Sequence, residues 1–450
     1  GNSIASGGNY NVVVGDEAGT AITTGINNTF LGSAAGNDLT DADFNTAVGA
    51  NSLREDTLGS KSTALGYYAL GNQNFTSATD TNNTAVGYHA GLAVTTGINN
   101  TLMGTASGDA ITTGHSNTVV GSAAGTAVTT GINNVAIGYI ALASATTAAD
   151  NVIVGKQAGF SITDSQFNVG VGNNAIQTLT TGDRNVAVGH SAMYALTTAS
   201  DNIAIGNEAG VAITTGAENV LMGSYAGDAI TTGASNIAMG YNALGSVTTA
   251  SYNVGIGQSA GGAITTGAKN TLMGFAAGDA LTEGEANVAI GYEALSGDSH
   301  GRRTVAIGHG ALKVQDFNSE TSSYNTAVGH NAGTAVTTGT LNTLMGGEAG
   351  DALTTGAQNT ALGYGSLGSS TTASYNTALG REAGTSITTG ASNTLVGTDA
   401  GQNITTGTFN IIMGHDSGDA LTTGGRNVVL GHNALTTDTI GSRAVAIGYE

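Results

Sequence analysis

Phenol and imidazole side chains recur at one kind of place in this sequence. Tyr67, Tyr88, Tyr139, Tyr241, Tyr292 and Tyr364, and His309, His330, His415 and His432, each stand directly after a glycine. Imidazole is the commonest metal ligand and titrates near neutrality, so paired histidines are the first place to look for chemistry. His309 and His330 are 21 residues apart, and His415 and His432 are 17 apart. Two imidazoles alone make an incomplete metal site, so no metal is assigned. The Tyr/His row is a candidate surface contact row. No Ser/His/Asp order, phosphate-binding loop, HExxH or EF-hand pattern accompanies it. The chain has no cysteine, and so no thiolate ligand or nucleophile. We expect no catalytic residue and no cofactor, and we do not expect an enzyme.

The glycine before each of these rings belongs to a repeat. It falls at 15, 32, 49, 66, 87 and onward to 448, giving 26 copies, with a step of 17 residues except at 66→87 and 308→329, where the step is 21. A short fixed period decides the fold before local propensity does. With this glycine as position 5, position 1 is Asn in 23 of 26 copies. Position 2 is always Thr, Val or Ile, position 4 is aliphatic or Met, and position 8 is Ala or Ser. Position 12 is mostly aliphatic and is commonly followed by Thr-Thr-Gly. β-Branched residues suit strands, and one such coil buries its apolar face only against its neighbours. The expected fold is therefore all-β, a repeat β-solenoid of about 26 coils of 17 residues, one continuous body over residues 1–450 that is an excerpt of a longer chain. Position-1 Asn residues, Asn134 and Asn151 among them, are expected to stack as a column. The Asp residues at position 10 (Asp109, Asp228, Asp279, Asp351 and Asp419) fall three or more coils apart, about 14 Å at ~4.8 Å per strand. They cannot share an ion.

Strand side chains alternate, so positions 2 and 4 share a face. Val14, Ile137, Ile205, Ile290 and Ile447 are expected to face inward, together with the six Met residues at position 4 as gap fillers. Position 3 would then face out, yet it is never polar. Val13, Phe30, Leu102, Leu221, Leu272, Leu344, Leu395 and Ile412 are its larger members, and most of the others are Ala. An exposed apolar stripe marks an interface, so these residues are expected to form the seam of a homo-oligomer. Three breaks interrupt the pattern. Asp56, Asp298 and Asp438 replace the aliphatic residue of position 12, and four-residue insertions follow the first two, within 72–82 and 314–324. These are expected to be solvent loops and candidate contact sites.

Formal net charge is −20, from 31 acidic against 11 basic residues. That excludes the basic footprint of a nucleic-acid binder and electrostatic docking on anionic lipid. No apolar run is long enough for a transmembrane helix. The pieces Asn134–Gly138, Asn287–Gly291, Val305–Gly308 followed by Ala311, and Val445–Gly448 resemble the head repeat of YadA-like trimeric autotransporter adhesins, the Hep/Hag repeat, which is similar to repeats of phage tail fibres. The resemblance implies a left-handed parallel β-roll, a trimer and an extracellular adhesive role. The family period is shorter than 17, and the extra residues fall in the Thr-Thr-Gly turn. The expected function is a structural, adhesive fibre outside the cell, at a bacterial surface or on a virion tail. Its partners would be its own copies and an unknown cell-surface, matrix or host receptor. The alternative is a Thr array that meets ice or another crystal surface, although Leu58, Asp164, Glu283, His300 and Ile440 interrupt that ladder.

Overall fold

The computed structural model describes residues 10–449. The chain divides into two compact units, one ending at Met222 and one beginning at Gly223. Each unit holds thirteen three-residue strands, one per repeat, and no helix occurs among the described residues. Strands pair in parallel with the strand one repeat on. Val135 lies opposite Val152, Ala136 opposite Ile153 and Ile137 opposite Val154. The longer step keeps the same register, with Val305 opposite Thr326. Both units are thus parallel β-solenoids, as the period implies.

Each strand is short because its ends are forced to turn. The glycine of position 5 takes φ near +140°, for example +135° at Gly138 and +139° at Gly155, a region closed to L side chains. A side chain there would also strike the next coil, since a Cβ on Gly138 would lie 2.4 Å from the carbonyl oxygen of Gly155. Three further residues per coil, at positions 7, 9 and 17, adopt left-handed φ, as at Gln157, Gly159 and Asn133. Asn tolerates that conformation better than most residues.

The face assignment reverses the sequence expectation. Position 3 points into the coil, where Phe30, Leu102, Leu221, Leu272, Leu344, Leu395 and Ile412 are buried within a single chain. Val13, in the first described coil, is half-buried. These residues are core and not a seam. Positions 2 and 4 point outward, so Val14, Ile137, Ile205 and Ile447 are exposed and Ile290 is half-exposed. The methionines follow them, with Met103, Met222, Met273, Met345 and Met413 exposed.

The reason is volume. The interior of a coil is one side chain thick and is filled from positions 3, 8, 9 and 12. Phe30 and Leu102 face glycines at position 9 of their own coils, and a Cβ on Gly36 or Gly108 would lie 2.8 or 2.9 Å from them. Where position 3 shrinks to Ala47, Ala136 or Ala289, position 9 is Leu53, Leu142 or Leu295, fully buried despite left-handed φ. Burial of such a side chain gives about 1.5–3 kcal/mol, enough to offset a comparable strain of about 1–3 kcal/mol. In coils where both positions are small, the neighbours fill the gap. A Cβ on Gly261 would lie 2.7 Å from Leu272 of the coil after it and 2.9 Å from Leu244 of the coil before. These are three ways of filling one narrow core.

The Asn column forms. The side-chain amide of Asn151 donates to Asn134 Oδ1 at 3.1 Å and to the Ser165 carbonyl at 2.9 Å. Its own Oδ1 accepts from the backbone N–H and the side-chain amide of Asn168, at 3.0 and 3.2 Å. The pattern repeats coil after coil, and Asn134, Asn151, Asn168, Asn185 and Asn202 are all buried. A buried polar column is stable because every member is satisfied.

Candidate binding faces

The two insertions are exposed over residues 76–78 and 318–320, and each is anchored inward by a buried Gln and Phe, Gln73 with Phe75 and Gln315 with Phe317. Asp56 and Asp298 are fully buried. Asp56 Oδ1 accepts from the N–H groups of Gly59 and Phe75, at 3.1 and 3.0 Å. Its Oδ2 accepts from Gln73 Nε2 at 2.6 Å. Gln73 also donates to Ser62 Oγ at 2.9 Å, and its Oε1 accepts from the Asn83 amide at 2.9 Å. Ser62 stands where the Asn column is interrupted, so the inserted Gln carries that column across the gap. The second insertion repeats the design: Gln315 Nε2 donates to Asp298 Oδ2 at 2.6 Å and the Asn325 amide donates to Gln315 Oε1 at 2.8 Å. Phe75 and Phe317 are buried beside them. The signal in the sequence was the coincidence of Asp at position 12 with loss of Asn at position 1 in the next repeat. Asp438 shares the turn geometry, accepting from Gly441 N–H at 2.6 Å, but is only half-buried.

The Tyr/His row is exposed, and part of it stacks. Phe275, Tyr292, His309 and His330 form one run with ring centroids 5.1, 5.2 and 5.2 Å apart. His415, His432 and Tyr449 form another at 5.1 and 5.3 Å, and Tyr67 stacks on Tyr88 at 5.5 Å. Tyr241 instead meets Tyr225 edge-on at 5.9 Å, and Tyr139 and Tyr364 stand exposed. Tyr68 of the insertion coil and His89 of the coil after it join Tyr67 and Tyr88, and with Asn72 and Leu92 they line an open cleft of about 450 Å³. The chain matches no protein-family model and no curated protein. The reading of these faces therefore rests on their own geometry.

Two outward columns bear on function. Positions 2 and 4 carry Thr, Val or Ile beside Val, Ile, Leu or Met on the wet side of the sheet. The Thr-Thr turn is less available than its spacing implies. The first Thr hydroxyl of each turn is spent on the next coil, as where Thr95 Oγ1 donates to the Thr112 carbonyl at 3.2 Å and Thr129 Oγ1 to that of Thr146 at 3.0 Å.

Burial sets the acid–base behaviour of the core. It pushes the carboxyls of Asp56 and Asp298 up, against the pull of Gln73 or Gln315 and the backbone donors. It also raises Asp109, Asp279 and Asp351 at position 10. A carboxyl raised in the folded state holds its proton more tightly there than in the unfolded chain. Its contribution is complete below the unfolded value and is lost as pH rises through the folded one. The exposed acids Asp201 and Glu293 are held low by Arg184 and Lys313, and their contribution fades only as pH falls below the ordinary carboxyl range, about 4. The denaturant midpoint is therefore expected to rise from neutral pH to about pH 5. That rise should shrink in an Asp109→Asn, Asp279→Asn, Asp351→Asn variant. A flat or falling midpoint would contradict the assignment.

Proposed function

We propose that this chain is a structural, adhesive segment of an extracellular fibre that assembles with copies of itself through the outward face of its sheet. One observation carries the reading. In both units, positions 2 and 4 keep bulky apolar side chains on the solvent side of strands held in strict parallel register, among them Ile137, Ile205, Leu362, Leu379, Ile411 and Met413. Stripes of this kind are rare on monomers and mark interfaces. Each half-exposed Ile or Leu would add on the order of 1 kcal/mol on full burial. Over thirteen coils per unit the sum exceeds the entropic cost of association, about 4–15 kcal/mol. Assembly as a trimer and attachment to a surface receptor follow the resemblance to adhesin head repeats. A bacterial surface fibre and a phage tail fibre both fit. The Tyr/His row lies outside the apolar stripe and is the face left for a receptor.

Light scattering on the whole chain tests this. The unmodified chain should be an oligomer. Ile137→Asp with Ile205→Asp and Leu379→Asp should yield a smaller species with unchanged circular dichroism. Leu221→Asp with Leu272→Asp and Leu344→Asp should unfold the chain, because those side chains are core. A stable unmodified monomer, or outward variants that still assemble, would overturn the proposal.

A further inference from the structure

The stacked His415 and His432 lacked further ligands when only their spacing was known. The structure supplies carboxylates from the adjacent column. Asp399 and Asp416 occupy position 7 of successive coils, both in left-handed conformation. Among the described residues, one group of three ligand-type side chains comes together, Asp399, His415 and Asp416, with ligand atoms all within 4.8 Å of one another. His415 Nδ1 lies 2.9 Å from Asp416 Oδ2. That is a hydrogen-bonding contact which a metal would replace, since tetrahedral ligands with bonds of ~2.0–2.2 Å stand about 3.4 Å apart. His432 stacks on the His415 ring at 5.1 Å and steadies its plane.

Asp399 leaves one carboxylate oxygen for a cation. Its Oδ1 is shielded from solvent and meets no hydrogen-bond partner, as is true of the Oδ1 atoms of Asp109, Asp279 and Asp419, but of these only Asp399 belongs, among the described residues, to a group of three ligand-type side chains. Charge is also unbalanced. Glu382, Asp399 and Asp416 stack at position 7 of three consecutive coils. Arg381 is shared by the first two, 2.7 Å from Glu382 Oε1 and 2.7 Å from Asp399 Oδ2. Three carboxylates in neighbouring turns thus share one guanidinium and the His415 ring, and like charges this close disfavour one another's ionised form.

We propose that Asp399, His415 and Asp416 bind a divalent first-row transition metal, with Zn2+ as the type ion. One imidazole and two carboxylates suit that class, and three protein ligands leave coordination positions open to water. The other histidine stack is an internal control. His330 has Gly310 and Asn331 in place of the two acids, and His309 has Glu293 and Gly310, with Glu293 already paired to Lys313, so that pair binds no metal.

The test is calorimetric titration of the full chain with Zn2+ in physiological salt and excess Mg2+, which suppresses loose binding by the acidic surface. One Zn2+ per chain is expected. His415→Ala and Asp399→Asn should each weaken it about tenfold or more, the scale on which perturbing a metal site is felt. His309→Ala should leave it unchanged. Circular dichroism checks that each variant stays folded. As a second readout on the native chain, bound Co2+ should show a visible ligand-field band that is lost on adding Zn2+. Absence of tight binding to the native chain, or binding indifferent to both His415→Ala and Asp399→Asn, would overturn the proposal as an adventitious ion only.

Discussion

Gly138→Ala is expected to open the coil that carries it. The backbone there has φ of +135°, where an L side chain is strained by about 1–3 kcal/mol. The added Cβ would lie 2.4 Å from the Gly155 oxygen and 2.6 Å from its carbonyl carbon. Backbone cannot move aside as a flexible side chain can, so overpacking adds about 1–3 kcal/mol. The total, about 2–6 kcal/mol, falls on a single repeat, and in a solenoid stability is roughly a sum over repeats and their interfaces. The loss should appear as faster amide exchange in the strands Val135–Ile137 and Val152–Val154, with distant coils protected as before. Gly347→Ala is the control. Its φ is not positive, and the new Cβ would meet nothing nearer than Tyr364 at 3.5 Å, so stability should hold or rise by up to about 1 kcal/mol. Equal behaviour of the two variants would refute the account of position 5.

Asn151→Ala is expected to be comparably severe by a different route. It strands the Ser165 carbonyl and the Asn168 N–H, which are satisfied by the Asn151 side chain at 2.9 and 3.0 Å. Each buried orphan costs about 1–3 kcal/mol, so the loss is about 2–6 kcal/mol. Asn151→Asp should be worse than Ala at neutral pH. It would turn a carboxylate oxygen toward Asn134 Oδ1 and the Ser165 carbonyl, which now accept from an amide. Denaturant unfolding of the two variants decides the order. Asp behaving like the native Asn would show that the column contributes little.

The period and the Asn column were legible because they depend on backbone spacing, which the repeated glycine and Asn report directly. The faces were misread because bulk was taken to mean burial. In a core one side chain thick, Ala136 and Ala187 belong inside and Ile137 and Val188 outside, against ordinary hydrophobic ranking. The corrective signal was in the sequence, as a size trade between positions 3 and 9. Phe30 goes with Gly36 and Ala47 with Leu53, as expected only if the two share one space. The group formed by Asp399, His415 and Asp416 was not legible. Its members are 16 residues apart or adjacent, and only the left-handed bends at position 7 bring the carboxylates beside the ring.

The bonds that join successive coils, such as Val135 N–H to the Asn151 carbonyl at 2.8 Å and Gly138 N–H to the Val120 carbonyl at 2.8 Å, run from one coil to the next and not around it. Tension on the end of either unit would therefore load the outermost winding alone. It would peel like the last turn of thread from a spool, releasing about 17 residues, or roughly 55–60 Å of extended chain, before the next winding bears the load. Each exposed winding keeps a complete edge of Asn amides and strand carbonyls, onto which the slack chain can rewind when the pull relaxes.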